Sequence, residues 1–297
     1  MIDYFIALLP ALFLGSTSVV LVAQGGDDRQ RTIGLLTGAF LFSALATPFI
    51  EVHWTPRTLI ISFISGVILG IGQYLQVICL KVLGVSRTMP LTTAGQIIFM
   101  CLGGIVLFGE MNHGLALVFA LSAIALLTIG VVFISKTEKT EAAAQEEVDW
   151  RRGTILLVVS TACLVAYLLI VQGFGLDGRS VVLPQSVGYL LVGLVATIPA
   201  LSPQLGKEDR RWSWLTVRQI LPGLMWGAAI LLTQVSSSRL GVAVAFPLSQ
   251  MGVIIQTFGG ILILHETRTR REMRWTIIGV VIMVIGVIMV GVARSFS

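Results

Sequence analysis

Ten apolar stretches follow one another from end to end of this chain, each close to the ~20 residues that a helix needs to cross about 30 Å of hydrocarbon. Bounded by charged or Gly/Pro-rich breaks, they run over 4–22, 33–50, 58–81, 86–108, 115–134, 153–173, 181–201, 215–236, 242–264 and 275–292. Lipid offers no partner for backbone amides and carbonyls, and a helix satisfies its own within one segment. The fold class expected is therefore all-α and integral to the membrane, with ten transmembrane helices. Composition agrees: the 297 residues are 56% hydrophobic and 12% charged, more apolar surface than a soluble core of that size can bury. Asp3 stands where a secretory leader has basic residues, so the first stretch is read as a helix.

Basic residues orient the spans. If the boundaries hold, the loops joining helices 1–2, 3–4, 5–6, 7–8 and 9–10, with the span ends beside them, carry 16 of the 20 Lys and Arg, which makes that side cytoplasmic and puts both termini outside. The net charge of +5 then reflects contact with anionic lipid rather than with nucleic acid. Trp54, Trp150, Trp212, Trp214 and Trp275 fall at span ends, as interfacial anchors do, and Trp226 does not. Cys79, Cys101 and Cys163 all lie inside spans, with no disulfide framework or CxxC metal site and no cofactor motif.

The polar segment 136–152 divides the chain into five helices on each side, so the domains expected are 1–135, a cytoplasmic linker at 136–152, and 153–297. Gly66, Gly70, Gly84, Pro90 and Gly95 recur 157 residues later as Gly223, Gly227, Gly241, Pro247 and Gly252. The Gly103-Gly104 pair and Glu110 recur at 156. Five helices is an odd number, so the second copy enters the membrane from the opposite face, which predicts a 5+5 inverted repeat of the kind secondary transporters use.

Polar side chains inside spans are costly unless they face protein or a water-filled cavity, so they outline a pathway. Gly66, Gly70, Gln73 and Gln76 share one stripe of helix 3, and the equivalent stripe of helix 8 is Gly223, Gly227, Ile230 and Thr233. Trp226 joins that second wall. Helices 4 and 9 carry Pro90 and Pro247 as candidate hinges, followed by Thr92, Thr93 and Gln96 and by Ser249 and Gln250. With Gln185, these give a candidate binding set of Gln73, Gln76, Thr93, Gln96, Gln185, Trp226, Thr233, Ser249 and Gln250; the plainer reading of each is an interhelical bond of ~0.6 kcal/mol. All fifteen Asp and Glu lie at span ends or in loops, which favours an uncharged substrate. Candidates for proton coupling are Glu51, Glu110 and Glu266, though a helix cap or an ion pair is the favoured reading of the last two and needs no coupling role. His53, His113 and His265 are scattered, and no HExxH, GxSxG or paired-carboxylate constellation is present.

The segments ALLPALFLGS (7–16), GQYLQ (72–76), GVSRTMPLTTAGQ (84–96), PQSVG (184–188), LPGLMWG (221–227) and GVAVAFPLSQ (241–250) resemble those of GlcU-type glucose uptake proteins, of the glucose/ribose porter family in the drug/metabolite transporter superfamily. The resemblance covers nearly all of the chain and implies a multi-pass carrier of the bacterial cytoplasmic membrane. Its expected partner is a monosaccharide, glucose foremost, with protons as a candidate coupled ion and the oligomeric state open. One departure stands after the Trp-Gly of helix 8, where family members resemble one another in a polar Asn and this chain has Ile230. On this reading Gln73 and Gln76 bond sugar hydroxyls, and Trp226 stacks on a sugar face. Alternatives are an exporter of a neutral metabolite or drug, or a membrane receptor or subunit without transport.

Overall fold

The computed structural model describes residues 2–83, 85–110, 114–134, 136, 149–201, 209, 211–263 and 269–296. Twelve α-helices are found there: α1 (Ile2–Ala23), α2 (Asp28–Ala46), α3 (Pro56–Leu83), α4 (Val85–Phe108), α5 (Gly114–Ile134), α6 (Trp150–Gly173), α7 (Gly178–Ala196), α8 (Trp214–Arg218), α9 (Ile220–Leu240), α10 (Val242–Ser249), α11 (Gly252–Leu262) and α12 (Arg270–Ser295). They make ten spans long and apolar enough to cross a membrane, α8 with α9 forming the eighth and α10 with α11 the ninth. Side chains such as Phe49, Leu45 and Val106 point outward at 88%, 66% and 74% exposure, as lipid-facing groups must.

Local chemistry sets the helix ends. Asp27 accepts from the Gln30 amide at 2.8 Å while Gln30 Oε1 accepts from the Asp27 amide at 2.9 Å, a capping box that starts α2. Asp177 starts α7 in the same way, accepting from the Ser180 amide at 3.2 Å. The two candidate hinges differ. α4 runs through Pro90 without interruption, whereas the ninth span breaks at Gln250 and Met251, three residues after Pro247. Proline has no N–H to offer the carbonyl four residues back; here that carbonyl belongs to Ala243, and the Cys101 thiol donates to it at 3.8 Å.

Glycines let the spans approach backbone to backbone. A Cβ at Gly66 would strike the Gln185 carbonyl oxygen, and one at Gly223 would strike that of Leu35. One at Gly188 would come 2.5 Å from the Phe63 carbonyl oxygen, and one at Gly38 would strike that of Ile220. Gly70 lies against Tyr189 and Val192, and Gly227 against Ala39 and Phe42. Gly103 meets Leu169, and Gly259 meets Val19. In every one of these pairs the α3–α4 position and its α9–α11 counterpart differ by 156 or 157, and their partners on α1–α2 and α6–α7 differ by 150. α5 and α12 pack on each other, Gly130 against Gly279, and turn aliphatic faces outward.

Candidate functional site

The α3–α7 and α7–α9 seams hold a buried polar cluster. Gln185 on α7 has no exposed surface; its Nε2 donates to Ser65 Oγ on α3 at 2.7 Å, and its Oε1 accepts from Gln234 Nε2 on α9 at 3.2 Å. Ser65 Oγ in turn donates a hydrogen bond to the Tyr167 carbonyl at 2.8 Å. Gly66 explains why Gln185 can sit there, because a side chain at 66 would collide with the backbone of 185. One turn further along α7, Tyr189 meets Trp226 of α9 edge to face, ring centroids 5.4 Å apart at 67°. Trp226 is 8% exposed.

Several polar atoms on the same helices are buried without a hydrogen-bond partner among the described residues: the hydroxyls of Ser62, Ser236 and Ser237, and Oε1 of Gln234. An unsatisfied buried group costs about 1–3 kcal/mol. All of them are neutral, and hydroxyls and amides can act in both donor and acceptor roles. The arrangement therefore suits a ligand rich in hydroxyls and offers no counter-charge to an ion.

The expected residues divide into three groups. Gln185 and Trp226 are buried at the α7–α9 seam, and Thr233 is buried on α9. Gln73 and Gln76 on α3 and Thr93 and Gln96 on α4 are half-buried and make no side-chain hydrogen bond among the described residues. Ser249 and Gln250 stand at the break in the ninth span, Ser249 Oγ bonded to the Phe246 carbonyl at 2.6 Å and Gln250 Nε2 only 3.5 Å from Ser249 Oγ. Glu110 accepts from the Val242 and Ala243 amides at 3.0 and 2.9 Å, capping α10. Glu266 lies outside the described residues.

Ser65, Tyr189 and Gln234 join the cluster without having stood out in the sequence. Gln234 follows Thr233 and lies four residues from Ile230, on the stripe already singled out, and Tyr189 is four residues from Gln185. That spacing was the available signal.

A family model described as "Sugar transport protein" matches residues 5–293. The "Glucose uptake protein GlcU" of Bacillus subtilis is 32% identical over 295 residues, 99% of this chain and 100% of its own. A Bacillus cereus protein named "Probable glucose uptake protein GlcU" is 35% identical over 295 residues, with the same coverage. A crystal structure of a protein 14% identical in sequence superposes with a TM-score of 0.71 over 97% of this chain and 98% of its own, a likeness of fold.

Proposed function

The chain belongs to the sugar transport protein family, and from that premise we propose that it is a secondary carrier for a neutral monosaccharide, glucose first among them, working by alternating access across the bacterial cytoplasmic membrane. One observation carries the reading at the level of residues: Gln185, Ser65 and Gln234 form an uncharged amide and hydroxyl cluster inside the membrane, next to the Trp226 and Tyr189 rings. Sugar rings combine polar edges with less polar faces, and amides beside an indole match both.

The halves 1–135 and 153–297 act, on this proposal, as an inverted repeat. Supporting it are the paired glycine contacts, in which each seam of one half reappears in the other with its partners exchanged. Two equivalent seams allow each half to adopt the other's conformation and so turn a central site from one side to the other. Both termini face outward, supported by the distribution of basic residues. Proton coupling is not needed to explain Glu110, whose two oxygens hold the start of α10.

Counterflow of labelled glucose and ribose in proteoliposomes, with and without a pH gradient, tests the proposal. Glucose-driven accumulation is expected; absence of counterflow with every monosaccharide overturns it.

A further inference from the structure

At the end of the bundle that carries Asp3, the α6–α7 loop and the last turn of α9 enclose a cavity of about 420 Å³. Small-molecule sites span ~300–1,000 Å³, so the space is large enough for a ligand. Its walls include Gln172, Asp177, Arg179, Ser238 and Arg239. The cavity is separate from the Gln185 cluster but adjoins it: Gly178 lies against the backbone of Gln234, and Ser238 is one turn above Gln234 on α9.

The wall groups define what could bind. Gln172 Nε2 is buried with no partner among the described residues. Asp177 turns Oδ2 to the Ser180 amide and hydroxyl, each at 3.2 Å, and no described contact engages its Oδ1. Arg179 forms no ion pair among the described residues, while Arg239 is already matched by Asp3 at 3.0 Å. Once Arg239 is neutralised by Asp3, one carboxylate and one guanidinium remain, so the walls carry little net charge. An anion would meet Asp177 and a cation Arg179. A neutral polyol can use both, giving its hydroxyl protons to the carboxylate and accepting from the guanidinium and the amide. Gly175, at φ +62°, turns the loop, and a Cβ there would meet nothing within 4 Å, so the rim is open.

We propose that this cup is an outer docking site for the monosaccharide, a second binding site that holds the sugar one step before the Gln185 cluster. The inference rests on the reading of the chain as a monosaccharide carrier. Gln234, one turn from Ser238 on α9, bonds Gln185, so a sugar in the cup waits above those amides, which are fully buried in this state.

Equilibrium dialysis of labelled glucose against the purified full chain in detergent tests it. The wild type is expected to bind two sugars per chain; Ser238→Trp, which fills the cup from an exposed position, and Arg179→Gln are each expected to bind one. Ser238→Cys gives a second reading with little change in bulk: glucose should slow its reaction with a maleimide at least five-fold, and inorganic phosphate should not. A wild-type protein that binds one sugar, variants that still bind two, or protection by phosphate but not glucose overturns the docking site. Wild-type protein that binds no monosaccharide overturns the carrier reading, and the docking site with it.

Discussion

Gln234 Nε2 donates to Gln185 Oε1 at 3.2 Å, across the α9–α7 seam, and the same Gln185 amide donates to Ser65 at 2.7 Å. One side chain therefore ties three helices together in the bundle interior. Gln185→Leu removes both bonds and leaves the Gln234 amide unpaired. Interhelical bonds in membranes average ~0.6 kcal/mol, and an unsatisfied buried amide adds about 1–3 kcal/mol. The variant is expected to unfold at lower temperature and to bind glucose at least about tenfold more weakly. Unchanged melting and affinity would remove Gln185 from the site.

Gln73 and Gln76 provide the contrast. Neither makes a side-chain hydrogen bond among the described residues, so replacing them removes no hydrogen bond seen there. Gln73→Leu and Gln76→Leu should each weaken sugar binding by about 1 kcal/mol, roughly fivefold, with melting temperature unchanged. Titration calorimetry alongside thermal unfolding separates the two effects; native affinity in both variants sinks the assignment.

Trp226 packs edge to face on Tyr189, so its truncation acts on stability as well as on binding. Trp226→Ala is expected to cost about 3–5 kcal/mol of stability and most of the sugar affinity, whereas Trp226→Phe keeps the aromatic pair and measurable binding. Glucose should also shield Trp226 fluorescence from aqueous quenchers. A folded Trp226→Ala protein with native affinity would leave the indole a packing role only.

Two glycine substitutions have opposite expected signs. At Gly223 a methyl group would strike the Leu35 carbonyl and approach Gly38 Cα at 2.7 Å, both backbone atoms that cannot rotate away. Gly223→Ala should lower the melting temperature by many degrees. At Gly291 in α12 a Cβ meets nothing within 4 Å, and alanine, which loses less entropy in a helix by about 0.5–1 kcal/mol, should be neutral or slightly stabilising. Equal effects at the two positions would contradict the close α2–α9 seam.

Topology has a direct test. A cysteine introduced at Ala143, in the 136–152 linker, should resist an impermeant maleimide on intact cells and react after permeabilisation. Labelling of intact cells would reverse the orientation.

Hydropathy alone was enough to find the ten spans, because lipid imposes length and apolarity on each segment independently. The edges were harder to read. The eighth span starts at Trp214 and passes the α8–α9 junction near Gln219, and the ninth is interrupted at Gln250; such breaks depend on tertiary contacts that hydropathy does not register. Within the candidate site, Gln185 and Trp226 stand out as polar or amphipathic residues deep in spans. Gln234, Ser65 and Tyr189 were not separated from other polar residues, because what distinguishes them is a partner on another helix. The Gly66–Gln185 approach shows the same limit: the glycine is evident in the sequence, and the carbonyl it admits is 119 positions away.

The break after α10 has a consequence for the symmetry proposed between the halves. α10 is held to the end of α4 by Glu110 and by Gly104 against Ala243, while α11 is seated on α1 through Gly252 and Gly259. Its counterpart α4 is one unbroken rod. Two halves identical in shape as well as in contacts would present the same aspect to both sides of the bilayer, and no cargo could be received from one and surrendered to the other. On the proposed inverted repeat, a carrier open to one side holds its twin halves in unlike postures, and the broken ninth span beside the unbroken fourth is one place where the two differ in shape.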